Sequence, residues 1–510
     1  MKSISRFFPL IVAGALFLAA VGFPLWSAWQ GFPIFRDQHL GTAILYSQEG
    51  IDLLRPKIVG FTATNTPAPQ EFPLWQAVAA VLLKAGGGWW GWANVASLLL
   101  FATCLWPMYR LGRRLGKECS WDAEQSGLWA VVCLLAVPVV FYQAGEASVD
   151  GWSLAICIWF YYACIEMIES GKWRWFPLAL IAGIFAATAK LPFFFAAGTA
   201  SGMYLILRHS KSPARWVQIL AVGGFSGMLF LLWTRWCDSQ LALAQFPYWE
   251  LRLSENPGLW DHYFGTWQYK LNPANWIKGG WRFLSTIFGS FALAGAFLWA
   301  LVSVRSKLLW SWIFGCVIML LVFTHLVLVH RHYYLIFAPA AALALAGVIA
   351  QLKANSRWSG KQWMVAQTTI ALALMLSIAQ GLMVMEVPLR FDPYPAEIAD
   401  RVSKLLPPGA KPLVQNGGWG GEIFMRMGRP GLSVHTSMSL KTPEQLTRLK
   451  QLGFTHLVLI ADSPLLYAFQ VTNPGQARLK RTTAHDESSP LIESWQPFYE
   501  DADITVFQLP

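Results

Sequence analysis

An α-helical polytopic membrane protein with a small C-terminal α/β extra-membrane domain is the fold class that the sequence predicts. Three observations carry that expectation. Apolar residues make up 55% of the 510 positions and charged residues only 13%, where a soluble chain carries about a quarter charged residues. About eleven apolar runs are long enough to span a bilayer. After about residue 392 the chain changes character, with more charge, Pro-Gly turns and short alternating stretches.

The elements follow in chain order. The start, MKSISRFFPLIVAGALFLAAVGFPLW, joins a basic end to a long apolar core; with no small-residue cleavage pattern behind it, it reads as a retained anchor. Apolar runs follow at roughly 90–112, 126–143, 149–169, 174–190, 191–208, 214–236, 281–303, 308–329, 333–351 and 363–385. The stretch 73–86, PLWQAVAAVLLKAG, is short for a span and ends in Lys84 and a Gly triplet, so it reads as a helix at the membrane face. With the N-terminus in the cytoplasm, the inside loops become MKSISR, YRLGRRLGKE, ESGKWRW, RHSKSPARW, VRSK and KANSRWSGK, all basic as the positive-inside rule requires. Outer loops 30–89 and 237–280 then share the non-cytoplasmic side with the tail. The expected division is a transmembrane domain over 1–390 and an α/β domain over 391–510. In the tail, KTPEQLTRLKQLG offers Thr442 as N-cap, Pro443 at the first helical position, Gln445 three residues after the cap and Gly453 as the stop. THLVLI reads as a buried strand, and AEIADRVSKLL, KPLVQNG and ADITVFQL complete an α/β pattern.

The net charge of +11 needs no nucleic-acid partner, because Lys and Arg in short cytoplasmic loops account for it. The seven cysteines lie in or beside apolar runs, which excludes a disulfide framework and a CxxC metal signature. No GxSxG, HExxH or phosphate-loop motif is present, and no N-x-S/T sequon.

Four polar groups fall at the predicted outer ends of spans: Arg36-Asp37 after the first, Glu146 to Asp150 before the fourth, Lys190 in ATAKLPFF, and HLVLVHRHYYLIFAP with His325, His330, Arg331, His332, Tyr333 and Tyr334. Ionisable residues facing a bundle interior are costly unless paired, so a functional cavity is the default reading. Each also has a plainer one. Asp37 is equally a solvated loop acid, and Asp150 suits the N-cap of a helix that begins at Gly151. Lys190 either snorkels to the headgroups or sits in a helix break set by Pro192. Successive helical residues diverge, so His330-Arg331-His332 reads as interfacial anchoring rather than as a zinc site. The loop 237–280 holds Trp249, Trp260, Trp267 and Trp276, which suit a sugar face or a headgroup-level helix, the latter for most of them.

The order of these features resembles the GT-C superfamily of membrane glycosyltransferases, most closely the branch of dolichyl-phosphate-mannose protein mannosyltransferases and aminoarabinose transferases. Four pieces carry the resemblance: Asp37 in FRDQHLGTAILY; the element from EFPLW to MYRLGRRLG; Asp150 followed by AATAKLP; and RHYYLIFAPAAALALAG. It covers residues 1 to about 385, and the tail is similar to the α/β domains that some members append. The sequence departs from the pattern at Gln38, where a Glu is frequent, and at FPL, preceded by Glu71 where a basic residue or His is frequent.

That resemblance implies a polyprenyl-phosphate-linked monosaccharide as donor, its tail between helices, and an inverting transfer to a hydroxyl acceptor (glycolipid, polysaccharide or protein) at the outer face of a bacterial inner membrane. Membrane lipids are the other expected partners. A carboxylate within reach of the acceptor takes its proton as the hydroxyl attacks the anomeric carbon, and Asp37 is the candidate base. The leaving phosphate needs cations, for which Arg331 stands first and Lys190, His332 and Tyr334 follow. Asp150 and Arg36 are the candidates for orienting the acceptor, with the cap role of Asp150 standing beside. No cofactor is indicated; a divalent metal stays open as an alternative, though no residue pattern calls for one. Other readings are transfer from a larger lipid-linked glycan, a lipid or glycan transporter without bond chemistry, and an envelope scaffold. The sequence shows no internal symmetry of the transporter kind.

Overall fold

The computed structural model describes residues 2–61, 67–243, 257–356, 358–385, 393–415, 421–434, 442–460, 492, 495–501 and 503–510. Trp249 and parts of the tail lie outside them. The chain divides into two compact units: one of residues 1–29, 94–234 and 257–387, the other of residues 30–93, 235–256 and 388–510.

The first unit is helical throughout, and each apolar run becomes a helix, a helix with a break or a bent pair. Among the described residues, seven helices are long and apolar enough to cross a membrane, or eight if the bent pair Pro273–Phe288 and Phe291–Ser303 is one span. The remaining runs form the shorter apolar helices Ala123–Leu135, Trp173–Ala189 and Lys307–Val322. Local chemistry sets the breaks. Pro138 sits in the first turn of Pro138–Gln143 and ends the run begun at Ala123, since its ring cannot continue a helix from behind. The run at 281–303 is not straight. Gly289 at φ +63° leaves the helix, Ser290 caps the next one by accepting from the Leu293 amide at 3.4 Å, and the two parts meet at 96°.

Burial sorts the spans. Val149–Ser170 is enclosed over 89% of its apolar window, whereas Pro213–Leu241 is enclosed over only 22%. Leu220, Leu231, Leu298 and Val302 stand exposed on outer helices, as lipid-facing side chains do.

The second unit is built on a five-stranded sheet of order β2-β1-β3-β5-β4, with β1 Pro412–Gln415, β2 Leu432–Ser433, β3 His456–Ile460, β4 Tyr499–Glu500 and β5 Ile504–Gln508. β1 runs parallel to β2 and β3, and β5 antiparallel to β3 and β4. The predicted strand at THLVLI is the central β3, where Leu457 and Val458 are fully enclosed because alternate residues enter cores on opposite faces. One face packs Leu449 and Phe454; the other packs Ile398 and Val402 of the helix Tyr394–Leu405, with Phe424. The helix Pro443–Gln451 carries the expected capping box, Thr442 accepting from the Gln445 amide and Gln445 reaching back to the Thr442 amide.

The segment after the first span joins this core. Val59 packs with the cluster around Phe424, and the Ser433 amide donates to the Gly60 carbonyl at 2.8 Å. Gly60 has φ +70°, and a Cβ there would run into the Phe424 ring. The apolar stretch 73–86 forms the twelve-residue helix Leu74–Ala85, which packs against Asp37–Glu49.

Candidate functional site

Two polar clusters hold the sequence-predicted residues, one in each unit.

In the second unit, Asp37 opens the helix Asp37–Glu49. Arg36 stands just before it with extended backbone (φ −110°, ψ 130°), and its carbonyl accepts from the His39 and Leu40 amides at 3.1 and 3.0 Å. The Asp37 carboxylate thus lies at the positive end of its own helix. Its Oδ2 also accepts from the backbone amide of Glu422 at 3.2 Å, in the first turn of Gly421–Met427. The half-buried Asp37 carboxylate therefore sits in the first turn of its own helix and accepts from an amide in the first turn of a second one. Gly421 permits the approach, since a Cβ there would stand 3.2 Å from the Asp37 Cβ.

Two residues further along the same helix, His39 is buried, its Nε2 3.7 Å from Glu71 Oε2 and its ring 6.2 Å from that of Trp75. Glu71 precedes the helix Leu74–Ala85, so the FPL element places an acid against the His two residues beyond Asp37. Arg426, paired with Glu422 at 2.8 Å, lies over the ring of Trp90 at 5.4 Å. Neither His39 nor the Glu422 amide was among the sequence candidates. The spacing Asp37-Gln38-His39 within one helix turn is a local signal for the first; nothing in the sequence near Asp37 points to the second.

In the first unit, the loop before the helix Val149–Ser170 is held from below. Asn94 donates to the Gly145 carbonyl at 2.7 Å and Ser97 to the Glu146 carbonyl at 2.6 Å. Ser148 is the N-cap, its hydroxyl accepting from the Asp150 amide and donating to Glu146 Oε2 at 3.0 Å. Asp150 is therefore not the cap that the sequence allowed for. The helix starts two residues earlier, at Val149, and the Asp150 side chain forms an ion pair with Lys190. Gly151 lies so close to the preceding turn that a Cβ would stand 2.7 Å from the Gln143 carbonyl oxygen.

Lys190 does not snorkel. It is the single non-helical residue between Phe176–Ala189 and Leu191–His209, its amide donating to the Ala186 carbonyl at 3.0 Å and its own carbonyl accepting from the Phe193 amide at 3.0 Å. Pro192 in the first turn of the second helix sets that break. Asp150 is fully buried and Lys190 is 6% exposed. The ammonium lies 4.8 Å from the Tyr333 ring centroid and 5.6 Å from that of Phe193.

Arg331, His332 and Tyr334 lie on the 3-10 segment Arg331–Phe337, where side chains three apart eclipse. Arg331 and His332 are half-buried, and the His332 ring stacks 4.5 Å from Tyr333. Tyr334 is buried, its hydroxyl donating to the Gly279 carbonyl at 3.1 Å. It lines an apolar cavity of about 300 Å³ together with Trp276, Phe283, Phe297, Leu328 and Phe337. His330 turns to His262, the two Nε2 atoms 3.3 Å apart, and His325 Nδ1 meets the His262 carbonyl at 2.9 Å. Burial and then the neighbouring His325 push the His262 imidazole below its ordinary range. Among the described residues, no three His, Cys, Asp or Glu side chains are grouped to hold a metal ion. Trp260 and Trp267 are exposed, and Trp276 donates to the Lys270 carbonyl at 2.6 Å.

The structure thus brings Asp150, Lys190 and Tyr333 together in one unit, and in the other it sets Asp37 against the Glu422 amide and His39 against Glu71. No family model matches the sequence, and no curated protein matches it. Solved structures do. The structure of ArnT from Cupriavidus metallidurans bound to undecaprenyl phosphate matches over 98% of this chain and 97% of its own, at 13% identity and TM-score 0.56. The oligosaccharyltransferase of Archaeoglobus fulgidus in its apo form matches over 89% of this chain and 70% of its own, at 10% identity and TM-score 0.55. Arabinofuranosyltransferase AftD from Mycobacteria matches over 99% of this chain and 41% of its own, at 14% identity and TM-score 0.56. These structures, matched over 89–99% of this chain at TM-scores of 0.55–0.56, give it the fold that they share, that of the GT-C membrane glycosyltransferases.

Proposed function

We propose that the chain is an inverting glycosyltransferase that moves a monosaccharide from a polyprenyl-phosphate donor to a hydroxyl acceptor at the outer face of a bacterial inner membrane. The observation that carries this reading is the Asp37 carboxylate, held at the start of its helix by the Glu422 amide in a chain with this fold. ArnT is solved with undecaprenyl phosphate, and the Archaeoglobus fulgidus oligosaccharyltransferase with a dolichol phosphate. A lipid-linked sugar phosphate is the donor class that these neighbours support.

In this mechanism Asp37 accepts the proton of the acceptor hydroxyl as its oxygen bonds to the anomeric carbon. The glycosidic bond to phosphate breaks on the opposite face, and the electron pair leaves with the polyprenyl phosphate. A single displacement of this kind inverts the anomeric centre and needs no enzyme nucleophile. Arg331 takes the developing phosphate charge through its planar fork, with His332 beside it. Lys190 contributes less net charge than its type suggests, because Asp150 neutralises it. Asp150 acts through Lys190, and Arg36 orients the acceptor beside Asp37. The apolar cavity at Tyr334 suits the first isoprene units of the donor tail.

The test compares wild type with Asp37→Asn and Arg331→Gln, using purified protein, a panel of radiolabelled polyprenyl-phosphate monosaccharides and a membrane-lipid and polymer extract. Asp37→Asn lowers transfer by roughly 100- to 10,000-fold while donor binding persists, and Arg331→Gln weakens donor binding. Equal transfer by the Asp37 variant, or no transfer of any label by wild type, overturns the proposal.

A further inference from the structure

The helices that begin at Asp150 and Lys190 end beside a second cavity that the proposed chemistry does not use. Glu166 lies 16 residues after Asp150 on Val149–Ser170, and Arg208 lies 18 after Lys190 on the next helix. At 1.5 Å per residue this places the cavity about 24–27 Å from the buried ion pair, across the span. In the orientation that the basic loops predict, this is the cytoplasmic end.

The cavity measures about 540 Å³, within the range of small-molecule sites. Seven cations and two carboxylates line it, a formal excess of five positive charges. The cations come from three separate stretches: YRLGRRLGKE supplies four, the end of Leu191–His209 supplies Arg208, and the turn before Lys307–Val322 supplies Arg305 and Lys307. The positive-inside rule asks only that such residues stay on one side of the membrane. It gives no reason for three distant loops to turn them into one concavity.

Both lining carboxylates are committed. Glu166 pairs with Arg114 at 2.8 Å. Glu118 pairs with Arg208 at 3.2 Å and also accepts from the Ser306 hydroxyl at 2.6 Å and the Leu308 amide at 3.3 Å, holding the start of the next helix. Arg113 is paired with Glu124 at 2.7 Å. Arg110 lies over the Trp106 ring at 5.3 Å, a contact that leaves its charge uncompensated. Among the described residues, Lys117, Arg305 and Lys307 have no carboxylate partner, and all three are exposed.

From this uncompensated charge in a formed cavity we infer that it is a binding site for a ligand bearing two or more phosphate charges. Bidentate Arg contacts and the point charges of lysine are the recognition chemistry for such groups. Either a diphosphatidyl lipid headgroup or a soluble diphosphate presents them, and basic pockets at the cytoplasmic ends of spans take anionic headgroups. The inference stands independently of the proposed glycosyl transfer.

The experiment uses the full chain in neutral detergent and two probes. Equilibrium dialysis measures radiolabelled inorganic pyrophosphate, and native mass spectrometry measures cardiolipin offered against phosphatidylcholine. The triple variant Lys117→Gln, Arg305→Gln, Lys307→Gln removes three of the four lining cations that have no carboxylate partner, keeps Arg110, and leaves the Arg114, Arg208 and Arg113 ion pairs in place. At about 1 kcal/mol, or roughly fivefold, per charge, the three changes together weaken binding roughly 100-fold. Single variants at Lys117 and Lys307, each exposed, guard against a folding defect and lose binding in smaller steps. Loss in both arms, in the pyrophosphate arm alone or in the cardiolipin arm alone supports the site and identifies the source as shared, soluble or lipid. Absence of binding by wild type in both arms, or unchanged binding by the triple variant, overturns it.

Discussion

Replacing Asp150 by Asn keeps the shape of the side chain and removes the charge opposite Lys190. Asp150 is fully buried and Lys190 is 6% exposed, so the remaining ammonium has no route to bulk water without moving its helix break. Breaking a buried pair from one side costs about 3–5 kcal/mol. The rings of Tyr333 and Phe193, 4.8 and 5.6 Å from the ammonium, return up to about 2 kcal/mol of cation–π attraction when desolvated. They stand near Lys190 in the wild type too, so they soften the loss without cancelling it. The expected cost of Asp150→Asn is therefore about 3 kcal/mol. Lys190→Met leaves the carboxylate buried without that compensation and costs about 4–5 kcal/mol. The double variant Asp150→Leu, Lys190→Met removes both charges and costs far less than the sum. Denaturant unfolding in micelles, followed by tryptophan fluorescence, closes this double-mutant cycle. Because the pair is shielded from solvent ions, its coupling changes little between low and high salt. Single variants that each cost less than about 1 kcal/mol, with a double variant equal to their sum, would refute the reasoning, since a solvated pair behaves that way.

Three further outcomes follow from local geometry. Gly151→Ala drives a methyl group to 2.7 Å from the Gln143 carbonyl and destabilises the first unit by about 1–3 kcal/mol in the same unfolding assay. Thr442→Ala removes one half of the capping box of Pro443–Gln451 and costs about 1 kcal/mol, read as faster hydrogen exchange of the Gln445 amide. Burial alone raises the Asp501 carboxyl, but the Tyr499 hydroxyl, the Asp503 and Ile504 amides and Arg401 outweigh it and hold it at about 2, below its ordinary 3.8. The folded state thus binds this proton later than the unfolded chain does, so the stabilisation is whole above the ordinary carboxylate range and fades as pH falls from about 3.8 towards 2. Protease resistance of the tail across an acid series shows that fade, and Arg401→Met, lacking one source of the depression, makes it shallower.

What the sequence makes legible is what local pattern encodes. Apolar runs specify helices without reference to any partner, and each predicted span has its helix. Lys84 and the Gly triplet set off the short helix Leu74–Ala85, and Thr442, Pro443 and Gln445 spell out a tail helix in three residues. Of the breaks, only the one set by Pro192 is read from the sequence; the one at Pro138 falls inside the run 126–143, which reads as a single span. The bend at Gly289 is not legible either, because a glycine within an apolar run signals a turn no more strongly than it signals packing. Pairings across the chain are the least legible. Asp150 and Lys190 lie 40 residues apart, and only their shared position at helix ends connects them in the sequence. His262 meets His330 across 68 residues, and the contact of Glu422 with Asp37 involves a backbone amide, which carries no side-chain signature at all.

That last contact also has a place in time. Its two members lie 385 residues apart, and at about 5–20 residues per second a ribosome needs roughly 20–80 s to travel from one to the other. The amide of Glu422 reaches Asp37 only after every span has been made. A nascent chain that already holds all its spans therefore has its carboxylate incompletely set until the last quarter of the polypeptide has folded, which makes maturation of this residue a post-insertion event.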